Sequence, residues 1–300
     1  MKTILISGGT GTIGQHITAK LLSFGFQVRF LSTRRNYRKE GVETFHWDPS
    51  KYSMDRRSLE GTDAIIHLAG ASISKRWTQN YKEEIYNSRI QSTDTLYRAL
   101  KEGNPGVKHF ISTSAVGYYP SHPTKIYHED DSPGTDFLSA VCHHWEEHAR
   151  LIGDLGIREA RLRVGFVLDK DSGALQKMAL PVKFGLGAPI GSGQQYIPWI
   201  HLEDVANMFI HLLTHPELTG PFNGVGPESV KNRDLMKSIA KVLHRPMFLP
   251  PVPGFLLKLV MGQMATLALM STRVSNEKIA GSGFSYQFST LEEALKDLYQ

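Results

Sequence analysis

The chain has 300 residues, 41% of them hydrophobic and 21% charged, with a formal net charge of +5 and a single cysteine. This ordinary globular balance excludes a disordered chain, and the length suits one large unit or a domain with a smaller lobe. One cysteine excludes an internal disulfide, no stretch reaches the roughly 18 apolar residues of a membrane span, and the dispersed basic residues lack the stripe of a nucleic-acid surface. The expectation is a cytoplasmic protein with a small-molecule partner, no nucleic acid and no membrane.

In chain order, Lys2–Ser7 is a short apolar run, as in a strand buried on both faces. It enters Gly8-Gly9-Thr10-Gly11-Thr12-Ile13-Gly14, and Ile13–Phe24 then carries apolar residues at helical spacing up to Gly25. Gln27–Ser32 is the second strand, which completes a βαβ unit of about 30 residues. Strands at Val42–His46, Asp63–Leu68, Val107–Thr113 and Glu159–Leu168 alternate with helical patterns at Gln79–Lys101 and Phe137–Leu155. Such alternation predicts an α/β fold, a doubly wound, Rossmann-type parallel sheet. Beyond Leu168 the regularity fails. Gly185–Pro198 is loop-like, Glu203–Thr214 and Asn232–Leu243 are helical, Pro221–Val225 is a short strand, and Leu249–Pro253 is a linker before a last helical segment. The domain reading is a nucleotide-binding unit over 1–168 with elements returning from 200–225, substrate-lobe elements over 169–245, and a C-terminal helical segment over 246–300.

The glycine turn follows a buried strand and opens an amphipathic helix, the context in which small residues let backbone amides and a helix N-terminus approach a pyrophosphate. Where a carboxylate would bind the ribose of NAD, this chain has Thr33-Arg34-Arg35. Guanidinium groups make forked, charge-assisted bonds to phosphate oxygens, so that segment predicts NADP(H) as the cofactor.

The glycine turn, His67-Leu68-Ala69-Gly70 and Ser112-Thr113-Ser114-Ala115-Val116-Gly117-Tyr118-Tyr119 together resemble the extended short-chain dehydrogenase/reductase superfamily. Lys75-Arg76-Trp77-Thr78, Ser88-Arg89, Ala188–Gly193 and Pro198–Asp204 are similar to its atypical, epimerase-like branch of the SDR39U and YfcH type, whose own C-terminal domain the segment from about Pro246 resembles. The resemblance implies cofactor contacts from the glycine turn, from Leu68, Ala69 and Gly70, and from Arg89. It also implies that Ser114 holds the substrate oxygen. The expected Tyr-x-x-x-Lys pair is missing: aligning Glu146 with the family's glutamate puts Leu138 at the tyrosine and Cys142 at the lysine. His143 or, preferably, His144 is the candidate for the lysine's ribose contact, and Tyr118 or Tyr119, Tyr118 first, is the candidate for a substitute proton donor, the alternative being aromatic packing. Glu84, five residues before Arg89, is a further candidate at the cofactor or a partner for Arg76 or Arg89. Trp77, Trp199 and His201 either border the substrate lobe or fill its core.

Phe137–His148 reads FLSAVCHHWEEH, which invites two other readings. His144 and His148 share a helical face and match a His-x-x-Glu-His zinc spelling, but a metal needs a third ligand and the upstream sequence spells a nucleotide sheet. Cys142 and His143 are adjacent on a helix and point about 100° apart, too far to act as a thiol and its base. No metal is expected. The functional expectation is an NADP(H)-binding oxidoreductase or epimerase-like enzyme acting on a small carbonyl or hydroxyl compound, with a non-catalytic NADP(H)-binding regulatory or redox-sensing protein as the rival.

Overall fold

A computed structural model describes residues 2–103 and 106–300. Its centre is a sheet of eight strands: β1 (Thr3–Ser7), β2 (Gln27–Ser32), β3 (Val42–Asp48), β4 (Ser53–Met54), β5 (Ala64–His67), β6 (His109–Ala115), β7 (Arg158–Val164) and β8 (Gly220–Gly224), in the spatial order β8-β7-β6-β5-β1-β2-β3-β4. All neighbours are parallel except β3 and β4. The chain runs outward from β1 to β2 and β3, then returns to place β5 on the other side of β1. That reversal makes β1 and β5 the switch point, where a crevice opens beyond the carboxyl ends of the strands.

Alternation along the strands decides which helix covers which face. Ile4 and Ile6 of β1, with Phe30 and Ile66, pack against α1 (Thr12–Ser23) and α5 (Leu202–Thr214) through Ile17, Leu21, Phe209 and Leu212. Leu5, with Ile65 and Phe110, faces α2 (Gln79–Gly103) and α3 (Phe137–Gly153) through Leu96, Leu100, Ala149 and Ile152. Both faces are therefore covered, which is why these strands read as continuous apolar runs.

The expected strand Glu159–Leu168 is two strands. β7 ends at Val164, and Phe166–Leu168 leaves the sheet to pair with Trp199–His201. The break falls at Gly165, where a Cβ would lie 2.1 Å from the Pro198 carbonyl oxygen. Only a residue without a side chain lets that crossing chain come so close. A helix absent from the sequence reading, α4 (Gly173–Lys183), follows. With α6 (Asn232–Val242) and α8 (Leu291–Tyr299) it builds a second core around Leu175, Trp199, Leu235, Ile239 and Leu295. The last helical segment is broken into short pieces, of which α7 (Gly254–Met261) is the longest before α8. No helix among the described residues is long and apolar enough to cross a membrane.

Gly165→Ala should lower the unfolding free energy by about 1–3 kcal/mol, read from denaturant midpoints, because the added methyl overpacks a backbone contact that cannot yield as a side chain would.

Candidate cofactor site

The crevice at the switch point is a cleft of about 530 Å³. Gly8 and Thr10 line it from the glycine turn, Thr33 and Arg34 from the end of β2, and Ala69, Gly70 and Ala71 from the end of β5. Gly8 has φ +73°, and a Cβ there would lie 2.7 Å from the Leu68 carbonyl carbon. The turn is therefore pressed against the chain leaving β5, while Gly9 and Gly14 pack on the Phe30 ring and the Gly8 carbonyl. Helix α1 starts from Gly11 with no side-chain cap and no acidic residue in its first turn. Its first amides and the positive end of its dipole are left for an anion. The Arg34 guanidinium forms no ion pair among the described residues.

The other candidates near the cleft are placed in four ways. Thr12, Ile13 and Leu68 support the turn: the Thr12 hydroxyl is 2.9 Å from Ser172 at the start of α4, and Ile13 and Leu68 pack on the sheet core. Glu84 lines the cleft, and its carboxylate pairs with neither Arg76 nor Arg89 among the described residues. Arg35 is exposed outside the cleft. Arg89 sits behind the cleft wall: its guanidinium donates to the Ala71 and Ile85 carbonyls, stacks 5.1 Å from Trp145, and backs Gly70. It holds the wall and contributes nothing to the lining.

Several lining residues had no cofactor role in the sequence reading. Trp47 and Asp48 end β3, Pro49 and Ser50 follow it, and Asn87, Ser88 and Gln91 lie on α2. The available signal was position, since loops at carboxyl ends of parallel strands line such crevices.

Beneath the switch point lies a buried polar chain. Ser7 Oγ is 2.6 Å from His67 Nδ1, and His67 Nε2 is 3.1 Å from Thr93 Oγ1. The imidazole, stacked on Phe110, ties β1, β5 and α2 together. Burial drives its pKa down to about 3, so the folded protein holds it neutral.

At the end of β6, Ser114 is 1% exposed, and its hydroxyl donates to Glu146 Oε1 on α3 at 2.6 Å. Glu146 is gripped in turn by Arg163 of β7, Nε to Oε1 at 2.7 Å and a second nitrogen to Oε2 at 2.8 Å. Arg163 also donates to Tyr119 Oη at 2.7 Å and lies 3.7 Å over the Tyr118 ring. Burial raises the pKa of Tyr118, which keeps the phenol protonated and makes it a poor base. Leu138 and Cys142 are buried and pack on Gly117. The Cys142 thiol is pushed up to about 12 by burial, so it is held as an inert thiol. His144 meets Tyr86 edge to face, with its buried Nδ1 unpartnered, whereas His148 bonds Asp94 at 2.6 Å. The two histidines of the zinc spelling are thus engaged separately. Trp77 and Trp199 fill cores, and His201 caps α5 by accepting from the Glu203 amide.

Residues 4–140 match the model of the NAD dependent epimerase/dehydratase family, and residues 252–298 match a domain of unknown function, DUF1731. The chain is 34% identical over 299 residues to the epimerase family protein SAR0825 of Staphylococcus aureus strain MRSA252, covering 99% of both. It belongs to the epimerase family. To the family member YfhF of Bacillus subtilis strain 168 it is 37% identical over 296 residues, covering 98% of this chain and 97% of that one. The crystal structure of human epimerase family protein SDR39U1 (isoform 2) with NADPH superposes with a TM-score of 0.89 at 33% identity, over 99% of each chain. The resemblance read from the sequence and its Rossmann-type sheet both hold.

Two stability predictions follow from this packing. Glu146→Ala, which strands a buried guanidinium, should cost about 3–5 kcal/mol in chemical denaturation. The His67 pKa is lower in the folded than in the unfolded chain, so its contribution is complete above the unfolded value near pH 6.5 and falls away as the pH drops toward about 3. In that window stability should fall with a slope approaching about 1.4 kcal/mol per pH unit, and His67→Gln should flatten the profile.

Proposed function

We propose that the protein binds NADP(H) across the carboxyl edge of the sheet and works as an oxidoreductase on a small carbonyl or hydroxyl compound. The observation that carries this reading is the cleft, which runs from the glycine turn that leads into the uncapped α1 to Arg34 at the end of β2, a guanidinium with no ion pair among the described residues. A pyrophosphate suits the first place and a ribose 2′-phosphate the second, where a guanidinium offers forked hydrogen bonds. The similarity to the human family member solved with NADPH supports the same cofactor. When bound, the nicotinamide supplies or accepts hydride. Gly8, Thr10, Ala69 and Gly70 would line its path, and Thr33 and Arg34 would hold the 2′-phosphate, whereas His144, with its Nδ1 buried, stands outside the cleft lining.

Ser114 acts in this reading as an acceptor. Its proton is committed to Glu146, which leaves oxygen lone pairs to orient a substrate hydroxyl. Tyr118 keeps its proton at neutral pH and so can only donate. A second reading, cofactor binding without turnover, is favoured by one observation: apolar, buried Leu138 and Cys142 stand where the family's acid/base pair would be.

Titration of the protein with NADPH and NADH tests the cofactor reading. Tighter binding of NADPH by tenfold or more, about 1.4 kcal/mol, is expected, and Arg34→Glu should abolish that preference. Binding of neither dinucleotide overturns it. Loss of NADPH absorbance with any member of a panel of small carbonyls supports turnover, and saturable binding without loss across the panel supports the second reading.

A further inference from the structure

Helix α7 buries none of its eight residues. Phe255, Leu259 and Val260 are 69%, 77% and 76% exposed, and Leu256 and the preceding Phe248 are exposed as well. At about 100° per residue, Lys258, Phe255, Leu259, Leu256 and Val260 fill a continuous arc of roughly 200°, with Lys258 at its border. The neighbouring segment extends this apolar edge. Val252 donates to the Pro189 carbonyl at 2.8 Å, Gly191 to the Val252 carbonyl at 2.9 Å, and Arg245 to the Lys183 carbonyl at 3.0 Å. Phe184 and Leu186 on that segment are exposed too. A surface this apolar on one edge is larger than scattered exposed residues explain.

The two stretches of chain that form this edge carry charge of one sign. No Asp or Glu occurs between Asp171 and Glu203, or between Asp234 and Glu277. Those two stretches contain Lys177, Lys183, Lys237, Lys241, Arg245, Lys258 and Arg273. Lys241 is paired with Glu292, whereas Lys177, Lys183, Arg245 and Lys258 form no ion pair among the described residues. An apolar arc of Phe, Leu and Val bordered by unpaired lysine is the pattern of a helix lying in a lipid–water interface, where the lysine stem covers apolar surface while its charge reaches the headgroups. Two-fold pairing with a second copy would instead bring like-charged rims together.

We propose that α7, with Phe248 and the edge at Phe184 and Leu186, docks the protein peripherally on an anionic phospholipid surface. This goes beyond the expectation of no membrane partner, which weighed only segments long enough to span. It stands independently of the cofactor reading.

The test is cosedimentation of the full chain with vesicles of phosphatidylcholine alone and of phosphatidylcholine mixed with phosphatidylglycerol, beside sedimentation velocity without lipid. Binding to the anionic vesicles should be stronger by about tenfold or more and weaken with salt. The exposed double variant Phe255→Ser/Leu259→Ser should lose binding with an unchanged thermal midpoint, and Lys258→Glu should weaken it. No vesicle binding, or equal binding to both vesicle types, overturns the proposal. So does a dimer in the absence of lipid that the double variant dissolves, since a second copy would then cover the face.

Discussion

The whole site depends on how closely the glycine turn can press against the chain leaving β5. A Cβ on Gly8 would lie 2.7 Å from the Leu68 carbonyl carbon, so any side chain there would push β1 and β5 apart at their carboxyl ends. That contact sets the height of the turn above the sheet, and hence where the amides of α1 point. Beneath it, neutral His67 bridges Ser7 and Thr93, fixing the same two strands to α2. One arrangement is steric and the other polar, and together they define a cleft before any ligand arrives.

A second buried arrangement lies at the carboxyl end of β6. Glu146 and Arg163 neutralise each other where neither charge could be tolerated alone, and Ser114 and Tyr119 are hydrogen-bonded into the pair. A serine held in this way has one orientation and one role. Leu138 and Cys142, which pack on Gly117, are apolar where the resemblance implies an acid/base pair. This is why cofactor binding and turnover separate as questions in this family member.

The lobe has a different physical character. The α4–α6–α8 core is as well buried as the sheet, but α7 is attached to it along one edge and leaves its apolar arc outside. Its apolar surface is uncovered within the chain, and the run of sequence that forms it lacks acidic residues. Those two properties make it a surface for another phase or partner, and they distinguish it from a loosely packed part of the core.

The sequence by itself determined the sheet and the glycine turn, because both are local: a doubly buried strand reads as an apolar run, and a tight turn into a helix requires small residues at fixed spacing. It also determined Arg34 at the end of β2, since that position is fixed by the length of one βαβ unit. Only the tertiary structure decided what lies at the other carboxyl ends. Trp47 to Ser50 and Gln91 reach the cleft from elements far apart in the chain, and no local pattern marks them. Arg89 was assigned to the lining and lies behind it, because a carbonyl pair and the Trp145 ring hold its guanidinium there. The break at Gly165 depends on Pro198 crossing 33 positions later, and the proton of Ser114 is committed by Glu146, 32 residues on. Local periodicity records burial. It does not record which distant group supplies it.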